Sequence, residues 1–192
     1  GRVVLAGMRH TVVLILGFML VALVMACGGT AEPALDIDAT LESAPSEFDF
    51  PISLYQGEDV IGSRQFSFAS LLGDTPIVLN YWASNCPPCS AEMPEFQKVY
   101  EAYEGRVLFF GLDVGGFAGF GGPDDSKKEL RRLGVTYPAG PAPDIETVRN
   151  LRVRGLPSTD FITPDGKIIR SWTGMLNESK LTEFVESLID ES

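Results

Sequence analysis

The sequence predicts an α/β domain whose sheet has parallel strands first and an antiparallel hairpin last. Three observations carry this. "PIVLNYW" (76–82) and "RVLFFGLDV" (106–114) are continuous apolar runs, as expected of strands covered on both faces. The segment between them reads as a helix from Pro87 to Tyr103, stopped by Gly105. Near the C-terminus, "STDFITPDGKIIRSWTG" holds two apolar-rich stretches joined at "PDG", a hairpin signal.

The remaining elements fall into place around these. "FDFPISLYQGEDVIGSRQFSFASLLGD", starting at Phe48, alternates on both sides of "QGED" and predicts a β-hairpin followed by a short helical turn. After the second buried run comes "GGFAGFGGPDD", five glycines in eleven residues. It has neither the Walker nor the dinucleotide spacing, so a phosphate cradle is set aside in favour of a mobile loop over the active site. Asp124 or Asp125 is expected to cap a helix reaching Leu133, and "GVTYPAGPAPD" is expected to be an irregular connection. Asp144 then caps a short helix ending near Leu151, and Asn177 caps the last helix, 178–189. Leu181, Phe184, Val185 and Leu188 give that last helix one apolar face.

The N-terminus stands apart from this domain. "TVVLILGFMLVALVMA" (11–26) carries no charge and follows Arg9 and His10, with Met8 the expected natural start. Sixteen residues are short for a membrane span and suit a secretory signal. The run ends at Cys27 and two glycines, which resembles the lipobox of bacterial lipoproteins, although Met25 is uncommon there. An uncleaved anchor helix is the alternative, and either places the domain outside the cytoplasm. The expected organisation is a signal and lipid anchor over 1–27, a flexible acidic linker over 28–47, and the folded domain over 48–192. The chain has 26 acidic against 15 basic residues, a net charge of −11, which argues against nucleic acid as a partner.

Lipidation of Cys27 would leave one pair of thiols, in "YWASNCPPCSAEMP". Cys86 falls where the first buried strand gives way to a helix, and Pro87 suits the first helical position. The amides and dipole of a helix start favour a thiolate, so Cys86 is expected to attack and Cys89, one turn inside, to resolve. Zinc needs four ligands, and with one histidine, His10, in the signal and no second cysteine pair, no metal site is expected. A structural disulfide around so small a loop would add little stability. A peroxidase of the peroxiredoxin type wants Thr four residues before its cysteine, where this chain has Trp82.

"IVLNYWASNCPPCSAEMPEF" and "RGLPSTDFITPDGKIIRSWTG" together resemble the membrane-anchored thioredoxin-like thiol–disulfide oxidoreductases, the TlpA/ResA-like group. The resemblance implies a thioredoxin fold, three layers α/β/α around a mixed sheet, with an added N-terminal β-hairpin and a helical insert covering the Ala139–Leu151 region. It implies a cis bond at Pro157 that exposes the backbone of Leu156 for strand-like pairing with substrate. Glu92 takes the place of the family's buried acid, its pKa raised by burial so that it trades a proton with Cys89. Pro94 lies inside the helix as it does in the family. Trp82 and Asn85 are expected to position substrate, Asn85 standing where relatives carry Trp.

The function implied is reduction of disulfides in exported proteins, apocytochrome c among them. The Cys86–Cys89 disulfide would itself carry the electrons without another cofactor, and a membrane thiol donor would restore the dithiol. The two prolines leave no N–H between the cysteines, so the thiolate gains little there and the pair reads as a reductant. A peroxiredoxin-like peroxidase and a non-catalytic binding lipoprotein are the alternatives.

Overall fold

A central strand buried on both faces organises the domain. In this computed structural model, which describes residues 47–192, β1 (Pro51–Ser53) is followed by α1 (Glu58–Ile61) and β2 (Gln65–Ser67). A 3₁₀ turn, Phe68–Leu71, leads into β3 (Ile77–Trp82), α2 (Pro87–Ala102) and β4 (Leu108–Asp113). Then come α3 (Gly115–Ala118), α4 (Pro123–Leu133), β5 (Ala139–Pro141) and α5 (Ile145–Asn150). The chain ends with β6 (Ser158–Ile162), β7 (Ile168–Thr173) and α6 (Glu178–Asp190). The expected signal, Cys27 and most of the linker lie outside the described residues.

Five strands form one mixed sheet in the order β5-β4-β3-β6-β7. β3 pairs parallel with β4 and antiparallel with β6, and β4 pairs parallel with β5. Every residue of β3 is buried, which is why its sequence shows no alternation. Its side chains nevertheless divide by face. Val78 and Trp82 join Cys89, Phe96, Phe161 and Leu188 in one core, under α2 and α6. Ile77, Leu79 and Tyr81 join Phe48, Phe68, Phe110 and Leu151 in the other, under the N-terminal strands.

The N-terminal pair β1–β2 is antiparallel, as expected, but "QGED" does not close it. The chain swings out through α1 instead, because Tyr55 and Gln56 are claimed by the far edge of the sheet. The amide N–H of Tyr55 donates to the Ala139 carbonyl at 2.8 Å, and the Gln56 side-chain amide donates to the carbonyls of Val135 and Tyr137 at 2.9 and 3.0 Å. These bonds cover an otherwise open edge. They also make Ala139–Pro141 a strand where the sequence suggested an irregular insert; only α5 within that insert is helical.

Two helix starts match their expected caps: Asp144 accepts from Thr147 N–H at 2.7 Å, and Asn177 from Lys180 N–H at 2.9 Å. The α4 start differs. Gly122 holds the cap position, and Asp125 reaches back to accept its N–H at 3.3 Å, so the aspartate works from the third helical position.

Candidate active site

Strand β3 delivers the chain to the edge of the sheet, and α2 begins at once. Cys86 is the N-cap residue and Pro87 the first helical one, so the helix starts without wasting an amide. Cys86 and Cys89 are joined by a disulfide, with their Cα atoms 5.3 Å apart. Cys86 is 5% exposed and Cys89 is wholly buried, so Cys86 is the more accessible of the pair. With Pro87 and Pro88 lacking N–H groups, Cys89 is the first residue of the turn that can offer one.

The Leu156–Pro157 peptide is cis. Leu156 and Cys86 line the same groove, so the loop before β6 faces the disulfide. Asn85 is exposed beside it, and its amide N–H donates to the Phe120 carbonyl at 3.0 Å. Trp82 is placed differently from the expectation. It is wholly buried in the core beneath the cysteines and shows no ring surface at the groove.

Glu92 lies one turn beyond Cys89, at the spacing that makes side chains neighbours on a helix face. It is 2% exposed. Desolvation pushes its pKa up from 4.5 to about 7, against two hydrogen bonds that favour the charged form. Leu176 N–H donates to Oε2 at 3.0 Å, and Asn80 Nδ2 donates to Oε1 at 2.9 Å. A group balanced near neutrality can take or give a proton at small energetic cost.

Asn80 was missed by the reading of the sequence, yet its signal was there: one amide inside "IVLNYW", a run otherwise made of apolar and aromatic residues. A polar side chain on a doubly buried strand needs partners, and Asn80 Nδ2 donates to Glu92 as well as to Thr159 Oγ1 and the Ser158 carbonyl. Asp113, at the end of β4, is the same kind of residue. Its Oδ1 accepts the Gly115 N–H at 2.8 Å and its Oδ2 the Tyr55 hydroxyl at 3.0 Å.

These bonds tie down the glycine-rich loop, which the sequence suggested was mobile. Phe120 N–H donates to the Gly115 carbonyl at 3.0 Å, and the Phe120 carbonyl accepts both Asn85 N–H and Ser84 Oγ–H, the latter at 3.2 Å. Gly121 has φ +99°, and a Cβ there would stand 2.1 Å from Ser84 Oγ. Only glycine lets the loop lie this close to the segment leading into Cys86.

Known proteins resemble this chain in sequence and in fold. The thioredoxin-like domain family matches residues 69–189. Thiol-disulfide oxidoreductase ResA of Halalkalibacterium halodurans is 27% identical over 116 residues, 60% of this chain and 64% of that protein. ResA of Bacillus subtilis is 27% identical over 133 residues, 67% of this chain and 68% of that protein. The match therefore spans about two thirds of the length of these curated relatives. In shape, the chain is similar to the solved structure of MTB dsbF in its mixed oxidised and reduced forms. The TM-score is 0.63 at 23% identity, over 76% of this chain and 99% of that one. At that identity the likeness is one of fold. With a mixed five-stranded sheet, a cysteine pair at the β3–α2 junction and a family match over well more than half its length, the chain belongs to the thioredoxin-like domain family.

Proposed function

We propose that this chain is a thiol–disulfide oxidoreductase on the extracytoplasmic face of a membrane, working as a reductant of disulfides in exported proteins. One observation carries the reading: a disulfide at a strand-to-helix junction shares a groove with a cis-proline loop and has a buried acid titrating near neutrality behind it. The 27% identity to proteins named ResA supports the same class of chemistry.

In the reduced chain, the Cys86 thiolate attacks one sulfur of a client disulfide. A Cys86–client S–S bond forms, the client S–S bond breaks, and the leaving client thiolate takes up a proton. Cys89 passes its proton to Glu92 and attacks the Cys86 sulfur, which forms the Cys86–Cys89 disulfide and releases the second client thiolate. The client gains two electrons and the cysteine pair loses two. A membrane dithiol donor returns them by the reverse exchange, and no other cofactor enters. Apocytochrome c before haem attachment is the client that the resemblance implies, and lipidation at Cys27 would hold the domain near both partners.

Two measurements test this. Cys89→Ser cannot resolve, so it is expected to accumulate mixed disulfides with client proteins in the native membrane. If none form while the wild type reduces clients, the assignment of roles is wrong. The absence of N–H groups on Pro87 and Pro88 supports the reducing direction; titration against glutathione and dithiothreitol buffers should give a potential below about −180 mV.

A further inference from the structure

The groove beside Cys86 has walls that the exchange chemistry does not require. It encloses about 390 Å³ and is lined by Cys86 and Pro87, by Phe117 and Phe120 of the glycine-rich loop, and by Ile145 and Leu156. Six large apolar side chains are exposed among the described residues, and three of them, Phe117, Phe120 and Ile145, converge here. Clustered exposed apolar surface marks a binding site. The loop carrying the two phenylalanines is held by Asp113, Ser84 and Asn85, so the groove is formed before a partner arrives. Arg154 is the only charged residue in its lining, in a chain of net charge −11, and it makes no ion pair among the described residues.

We infer that this groove selects client cysteines flanked by a bulky apolar side chain and a carboxylate, with Phe117 and Phe120 gripping the former and Arg154 pairing the latter. The inference rests on the oxidoreductase reading above. The occupant follows from continuity: Cys86 lines the groove, so a chain captured on its sulfur as a mixed disulfide lies along these walls. Position 85 offers no aromatic surface here, and Phe117 and Phe120 of the loop supply one. Asn85 instead anchors that loop through its backbone.

The test uses the reduced full chain in detergent and two disulfide-linked peptides, identical except that one cysteine is flanked by phenylalanine and aspartate in the first and by serine and lysine in the second. The first should be reduced with a kcat/KM about tenfold higher or more, the scale expected for filling an apolar pocket. In the double variant Phe117→Ala with Phe120→Ala, that ratio should collapse to about threefold or less. Arg154→Glu should turn a preference for aspartate into one for lysine in a third pair of peptides differing at that position alone. The wild-type ratio needs no variant to fold, and a ratio within about twofold, with both peptides and oxidised glutathione still reduced, would overturn the groove while leaving the oxidoreductase reading intact. If no disulfide is reduced at all, the reading beneath it falls as well.

Discussion

Glu92 and Asp160 are buried under opposite faces of one sheet, 2% and 6% exposed, and desolvation raises the pKa of each. Their neighbours differ in kind. Asp160 accepts from two hydroxyls, Tyr81 at 2.8 Å and Ser171, on the face packed by the N-terminal strands. Glu92 accepts from a side-chain amide and a backbone amide, on the face that carries Cys89. Burial alone therefore does not distinguish the two carboxylates; what separates them is the Cys89 sulfur, one helical turn from Glu92. Asp160 serves as the acceptor that lets a tyrosine hydroxyl be buried, and its own ionisation has no reacting partner.

The sharpest way to break that contrast is kinetic. Glu92→Gln keeps the shape and removes the proton exchange, so disulfide reduction should slow on the order of a hundredfold, the usual scale of general acid–base assistance. The inflection near pH 7 in the resolving step should vanish with it. Asp160→Asn should leave the rate within about twofold. Stopped-flow turnover of a peptide disulfide between pH 5 and 9 reads both, and equal losses from the two variants would erase the distinction drawn here.

Stability sharpens it next. The folded pKa of Glu92, about 7, lies above its ordinary 4.5, so the folded state holds a proton that the unfolded chain releases between those values. Stability is then full below pH 4.5 and lost as pH rises through 7, by about 3 kcal/mol at pH 8. Glu92→Gln does not suffer this loss. Relative to the wild type it should gain about 3 kcal/mol between pH 4 and pH 8 in urea denaturation, and a flat difference would mean that Glu92 ionises freely. Asp160→Asn should show a gain of the same sign, since its pKa is also raised.

How much of this is legible in the sequence depends on whether a residue's environment is local. The β3 and β4 runs announce themselves because both faces are covered, and Pro87 after Cys86 marks the helix start by its own backbone preference. β5 does not, because Ala139, Gly140 and Pro141 have no strand preference and become a strand only through β4 and the hydrogen bonds from Tyr55 and Gln56. The glycine-rich loop misleads for the same reason. Glycines in number suggest mobility, whereas Gly121 is there for its closeness to Ser84, thirty-seven positions earlier in the chain. Trp82 closes a run that already reads as covered on both faces, and its nearness to the cysteine motif hides the fact that its ring belongs to the core under α2.

A smaller effect isolates one of the two donors to Glu92. Asn80→Ala removes the bond to Oε1 and leaves a buried oxygen with one partner fewer, which should destabilise the fold by about 2 kcal/mol. Because that bond favours the carboxylate, its loss should also move the Glu92 inflection above 7. Infrared titration of the carboxyl band gives the midpoint directly. An unmoved midpoint would mean that Asn80 packs against the acid without holding its charge.

The smallest effect separates the second donor from its surroundings. Leu176 N–H reaches Oε2 of Glu92 from the residue just before Asn177, the cap of α6. Removing that cap with Asn177→Ala should destabilise the protein by about 1 kcal/mol, since Lys180 N–H loses its acceptor. The amide of Leu176 has an independent anchor, because the Leu176 side chain is 1% exposed in the core that holds Phe184 and Leu188. The Glu92 midpoint should then stay where it is while the unfolding transition drops. If the midpoint moves with stability instead, Glu92 is governed by the cap of a helix at the far end of the chain, and its likeness to Asp160, as a group tuned only by its immediate neighbours, no longer holds.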